Sequence, residues 1–138
     1  MDLLVALGII RERINKELQK KLKQNSIDIS CGHIWLLSVV YSNNGRSEIK
    51  ELVKQLEKKK STVTEMINTL EKNGYLVKYQ SKEDKRVYYV ETTDRAEEMK
   101  DHILTIVENI KKKMFLSFSD GDKDILGELM MKIIGDLK

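Results

Sequence analysis

Apolar residues recur at Leu3, Leu7, Ile10, Ile14, Leu18 and Leu22. Steps of three and four predict one amphipathic helix about six turns long. Asn25-Ser26 and Asp28 punctuate the chain, and Ser30 is a suitable N-cap for a second helix carrying Ile34, Trp35, Leu37, Val39, Val40 and Tyr41. That segment is apolar nearly all round, which predicts the buried centre of the domain. A turn over Ser42–Gly45 leads to a short amphipathic segment with Ile49, Leu52, Val53 and Leu56 on one side. Lys58-Lys59-Lys60 interrupts it. A further helix then opens at Ser61-Thr62, carries Val63, Met66, Ile67 and Leu70, and ends at Asn73-Gly74. From Tyr75 the period changes to two. Tyr75–Gln80 and Val87–Val90, joined by the polar turn Ser81–Arg86, predict a hairpin. Thr93 or Asp94 starts a long helix whose Met99, Ile103, Ile106, Ile110 and Met114 approximate a heptad seam. Ser117–Asp122 breaks it, and a last helix over Asp122–Leu137 follows.

The composition narrows this picture. A chain of 138 residues with 41% hydrophobic residues fits one domain with one core. The absence of proline and the 6% aromatic content suit a mostly helical chain. No apolar run reaches the ~18 residues of a membrane span. The start MDLLVALGIIRERIN lacks the basic head and small-residue cleavage site of a signal peptide. One cysteine excludes an internal disulfide framework, so the expectation is a cytoplasmic protein with no membrane partner. There is no CxxC pair, HExxH, phosphate loop or GxGxxG, and no nucleophile–base pair. The chain therefore reads as a non-enzyme without a cofactor.

Charge is unevenly spread. The net +3 divides into +2 over Met1–Ile49, +4 over Lys50–Arg86 and −3 over Val87–Lys138. A basic middle points to a local anionic partner, although lysine-solvated helices give the same arithmetic. The order helix, short helix, helix, hairpin is that of a winged helix-turn-helix. The helix Ser61–Lys72 presents Ser61, Thr62, Thr64, Glu65, Asn68 and Thr69 as polar side chains. Lys58, Lys59, Lys60 and Lys72 flank it. Lysines at a helix N-terminus oppose the dipole at about 0.3–1 kcal/mol each. Next to a phosphate backbone they become favourable.

The segment KSTVTEMINTLEKNGYLVK (Lys60–Lys78), followed by DKRVYYV (Asp84–Val90) and ETTDRA (Glu91–Ala96), resembles the MarR family of multiple-antibiotic-resistance regulators. Asp84, Arg86 and Val90 fit the wing pattern D-x-R-x-x-x-V. Leu70, Gly74, Tyr75, Leu76 and Val77 fit L-x-x-x-G-Y/L-L/I-V. The resemblance covers nearly the whole chain. It implies a mainly α fold with a small β-hairpin wing, forming a single domain over 1–138. Dimerisation helices would occupy about 1–24 and 96–138, and the winged helix-turn-helix about 30–92. It further implies a homodimeric regulator, a repressor, that binds pseudo-palindromic double-stranded DNA and is released by a small anionic or phenolic effector. Arg86 would enter a minor groove, Asp84 would orient the wing, and Ser61–Lys72 would read the major groove. The expected DNA-binding set is Lys59, Lys60, Ser61, Thr62, Thr64, Glu65, Asn68, Lys72, Lys78, Lys82, Asp84, Lys85 and Arg86. The expected effector set is Cys31, His33, Trp35 and Tyr41.

Four positions depart from the family pattern. Lys78 stands where Arg is common, and Thr92, Thr93 and Ala96 replace part of L-T-x-x-G. His33 replaces a frequent Gln. Glu57, Lys58 and Lys59 fill a turn that usually holds glycine and small residues. The alternatives are a winged-helix protein–protein adaptor, or a metal- or redox-sensing regulator of the same fold. An adaptor would carry apolar residues on the exposed face of Ser61–Lys72. Zinc would need His33, His102 and Cys31 plus Glu98 or Asp101, without an H-x-x-x-H, so no metal site is expected. Cys31 reads as a packed thiol, since oxidation-sensing relatives carry their cysteine in the first helix. Tyr75 and Tyr79 read as core or cross-strand packing.

Overall fold

The computed structural model describes residues 1–138. Six helices and three short strands follow in the order α1 (Leu3–Gln24), α2 (Cys31–Ser42), β1 (Arg46–Glu48), α3 (Ile49–Leu56), α4 (Lys60–Lys72), β2 (Leu76–Gln80), β3 (Tyr88–Thr92), α5 (Asp94–Met114) and α6 (Asp120–Asp136). The mainly α class with a β wing is as expected. No helix is long and apolar enough to cross a membrane.

Helix α2 is the centre. Ile34, Leu36, Leu37, Val40 and Tyr41 are all buried, on more than one side of the helix. Around it pack Leu52 of α3, Val63, Ile67 and Leu70 of α4, Leu76 and Val90 of the sheet, and Leu18 and Leu22 of α1. Two tyrosine hydroxyls fasten this core. Tyr41 Oη donates to Ala96 O at 2.5 Å, joining α2 to the first turn of α5. Tyr75 is fully buried, and its Oη donates to Asp28 Oδ1 at 2.6 Å. Burial and the Asp28 carboxylate push the Tyr75 phenol up to about 12, and the hydroxyl in turn holds Asp28 below the usual carboxylate range. The Arg95 guanidinium lies 4.4 Å from the Tyr75 ring centre and donates to Asn73 O. The α1–α2 loop, the end of α4 and the start of α5 therefore meet at one tyrosine.

Several local readings need correction. The hairpin is part of a three-stranded antiparallel sheet ordered β1-β3-β2, because Arg46–Glu48 pairs with Tyr89–Glu91. Three residues between a turn and a helix carry too short a pattern to announce a strand. Helix α4 begins at Lys60, one residue before Ser61, with Lys59 at the N-cap position. Strand β3 runs to Thr92 rather than ending at Val90. Helix α6 begins at Asp120, because Ser119 and Asp122 form a reciprocal capping box. Ser30 holds the N-cap position of α2 but makes no capping bond, since its Oγ pairs with His33 Nδ1 at 2.9 Å. Ile103, Ile106 and Ile110 of the heptad-like seam are buried within this chain, where α5 packs on α1; Met114 is exposed.

Candidate nucleic-acid interface

Helix α3, the turn Glu57–Lys59 and α4 form the helix-turn-helix. The turn is made by Glu57 in the left-handed region, at φ 49° and ψ 44°. The family's usual glycine takes that conformation freely, and a glutamate does not. Gly74, at φ 84°, closes α4 and sends the chain into β2 without such strain.

Val63, Met66, Ile67 and Leu70 fasten α4 to the core. The opposite face presents Ser61, Thr62, Glu65 and Asn68 to solvent, with Thr64 half-buried. No side chain caps α4 and its first turn holds no acid, so its free N–H groups sit beside Lys59 and Lys60. Lys72 marks the far end of the helix.

The wing is ordered by its own polar groups. Ser81 Oγ accepts from the N–H groups of Glu83 and Asp84 at 3.2 and 3.3 Å. Asp84 binds Arg86 three times. Its Oδ1 accepts from the backbone N–H at 3.0 Å and from Nε at 3.1 Å, and its Oδ2 accepts from Nη2 at 3.1 Å. These bonds hold the Asp84 carboxyl below the usual range. The Arg86 side chain remains 90% exposed, so the pair aims a charge outward instead of burying one. Gln80 Nε2 donates to Lys85 O across the turn at 2.6 Å. Lys82 and Lys85 are exposed beside it.

A cleft of about 780 Å³ opens between the wing and the helix-turn-helix. It gathers Lys60, Thr64, Lys78, Asp84 and Arg86 from the expected set. Lys59, Ser61, Thr62, Glu65, Asn68, Lys72, Lys82 and Lys85 lie outside it, on the exposed surfaces of α4 and the wing. Sequence reasoning missed Lys50 and Tyr88, which line the same cleft. Lys50 and Val53 are three apart on α3 and share a face. Neither Lys50 nor Tyr88 is signalled by spacing in the sequence, because the cleft exists only where α3 and β3 meet at the wing. Tyr88 stands 5.5 Å under Lys78 Nζ.

The four expected effector residues lie along α2, away from this cleft. Cys31, His33 and Trp35 are half-buried, whereas Tyr41 is buried and committed to Ala96. Burial lowers the His33 pKa, with Glu65 of α4 acting against that shift. His102 pairs with Asn25 Oδ1 at 2.8 Å, and no group of three or more metal-ligating side chains forms.

Known proteins share this arrangement. The profile of the MarR family matches residues 36–88. The chain is 36% identical over 86 residues to the HTH-type transcriptional regulator Hpr of Bacillus mycoides, a match that covers 62% of this chain and 45% of that relative. The chain therefore spans about half the length of the curated relative it matches. A MarR protein from Peptoclostridium difficile superposes with a TM-score of 0.86 at 27% identity, covering 99% of this chain and 88% of the other. The S. aureus MepR–DNA complex superposes with a TM-score of 0.88 at 16% identity, covering 100% and 99%, a likeness of fold alone. From the wing, the helix-turn-helix and these likenesses together, residues 36–88 match the MarR family of winged helix-turn-helix transcription regulators, and the whole chain has the fold of a solved MarR protein.

Proposed function

We propose that this chain is a sequence-specific DNA-binding transcription regulator of the cytoplasm that binds pseudo-palindromic duplex DNA as a homodimer and represses the genes it covers. One observation carries the reading. Lys60 at the start of α4 and Arg86 at the wing tip face one cationic cleft, and α4 beside it offers polar rather than apolar side chains. Lys60 and Lys59 meet phosphates, as does Lys72 at the far end of the helix. Asn68 and Thr64, four apart on α4, meet base edges, with Ser61, Thr62 and Glu65 beside them. Arg86 enters a minor groove, oriented by Asp84, while Lys78, Lys82 and Lys85 flank the sugar–phosphate backbone. The same polar face speaks against a protein–protein adaptor.

The terminal helices supply the second copy. Helix α6 buries none of its residues, and the first half of α1 exposes Leu3, Leu4, Leu7 and Ile10. Residues 1–24 and 96–138 form the dimer region in this reading, and 30–92 the reading head. A two-fold dimer sets two heads ~34–36 Å apart, one DNA turn. Release by a small anionic or phenolic ligand completes the reading, with Cys31, His33 and Trp35 as its candidate site. Millimolar salicylate that leaves DNA binding unchanged removes that part.

The test is a titration of a selected duplex and a scrambled one at several salt concentrations. Arg86→Ala weakens binding to the selected duplex by ~1–3 kcal/mol. Lys60→Ala weakens both duplexes alike and lowers the salt slope by ~1 per subunit. Wild-type affinity in Arg86→Ala, or a full salt slope in Lys60→Ala, contradicts these roles.

A further inference from the structure

We propose that Glu71 is a positioning residue that ties the wing to α4 and so sets the angle between the two DNA-reading elements; this rests on the DNA-binding reading above. Its Oε2 accepts from the backbone N–H of Lys78 at 3.0 Å. The bond runs from the last turn of α4 to the middle of β2.

Electrostatics alone gives no reason for a carboxylate here. An acid in the last turn of a helix opposes the helix dipole. Next to Lys72 and Lys78 it also repels any phosphate those lysines attract. The contact it does make falls on the one edge of the wing that no strand covers. Strand β3 is held on its second side by β1, whereas β2 is the outer strand with an open edge. The base of the hairpin is fixed where Thr93 N–H donates to Tyr75 O at 3.1 Å. Glu71 adds an anchor three residues further along β2. Without it β2 is held at this level only through β3, and the tip beyond the β1 pairing, which carries Arg86, shifts relative to the groove that α4 defines. The same anchor fixes the backbone of Lys78, whose ammonium lies over Tyr88 in the cleft.

The experiment uses the full chain and a duplex enriched by the wild-type protein from a random-sequence library. Affinities are measured for Glu71→Ala, Glu71→Gln, Arg86→Ala and the double variant Glu71→Ala/Arg86→Ala, with thermal unfolding of each. Charge removal by itself predicts tighter binding in both Glu71 variants. Positioning predicts opposite outcomes for them. Glu71→Ala binds about tenfold more weakly, the scale of one lost hydrogen bond. Glu71→Gln keeps an acceptor oxygen and binds at least as tightly as the wild type. The loss caused by Arg86→Ala shrinks in the Glu71→Ala background, because a freed wing has already lost much of that contact. Wild-type or tighter binding by Glu71→Ala overturns the proposal, as do equal losses in Ala and Gln or additive losses with Arg86→Ala. If Glu71→Ala unfolds, weakened binding by a folded Glu71→Gln overturns it alone. A wild-type protein that enriches no duplex overturns the DNA-binding reading, and this one with it. Wild-type binding together with indifference at Glu71 overturns only this one.

Discussion

The segment from α2 to β3 and the terminal helices spend their apolar residues in opposite ways. In the first, Ile34, Leu37, Leu52, Ile67, Leu70, Tyr75 and Val90 all point into one core, and the exposed face of α4 is polar. In the second, Leu18 and Leu22 of α1 and Ile103, Ile106 and Ile110 of α5 join that core, but α6 and the front half of α1 bury nothing. Ile125, Leu129, Met130, Ile133 and Ile134 stay 38–57% exposed on α6. A solvated helix does not need such a row. The head is therefore complete as a single chain, and the terminal helices are complete only when something covers them.

The largest effect should come from charging that row. Leu129→Glu with Ile133→Glu places two carboxylates four residues apart on α6. We expect a protein that keeps its helical circular dichroism, runs as a monomer in light scattering, and binds the selected duplex about 100-fold or more weakly, because a second head no longer binds in tandem. Leu37→Ala is the contrasting change. It opens a cavity in the centre of the head and should cost about 2–5 kcal/mol of folding stability, read by denaturant unfolding. A charged variant that stays dimeric, or one that melts like Leu37→Ala, breaks the distinction between the two regions.

The same division explains what the sequence disclosed. Period and punctuation announced α1, α2, α5 and the wing, because each buries a stripe or alternates over enough residues to show it. The D-x-R pair at Asp84 and Arg86 was legible because both partners lie within one turn. The strand β1 was not legible, since its pairing partner lies more than forty residues away and only Ser47 is buried. Lys50, Tyr88 and Glu71 were missed for the same reason. Their roles depend on how α3, β3 and the end of α4 converge on the wing, and no local spacing records that. On α5 the heptad-like pattern left the facing helix open, because it looks alike whether that helix belongs to the same chain or another. Here α1 is that facing helix, with Glu17 and Lys113 paired at 3.2 Å across it.

A moderate effect is expected inside the head, and it sharpens the idea that this region is closed and self-sufficient. Glu57 holds the left-handed turn between α3 and α4. An ordinary residue there costs about 1–2 kcal/mol, and glycine recovers it less its own entropy of about 0.5–1 kcal/mol. Glu57→Gly should therefore raise unfolding stability by about 0.5–1 kcal/mol and leave the oligomeric state unchanged. No gain in the denaturation midpoint would mean that the turn conformation is relaxed.

The smallest effect is a pH dependence that enters through α2. Burial holds the His33 imidazole below the ordinary 6.5, while Glu65 across on α4 offsets part of that shift. The unfolded chain then binds a proton at a higher pH than the folded one. Above pH 6.5 both states carry a neutral ring and His33 adds no pH dependence. As the pH falls through 6.5 toward the lower folded value, the unfolded state gains protons first, so stability declines. Asp28, Asp84 and Glu17 are all lowered from carboxylate values, and their contributions disappear only in a more acidic range. Denaturant midpoints between pH 7 and 5 should therefore fall in the wild type and fall less steeply in His33→Gln, with the oligomeric state constant throughout. Equal slopes in the two proteins would mean that the ring is as solvated in the fold as in the unfolded chain. A slope that follows a change of oligomeric state would move the titrating group from the head to the terminal helices.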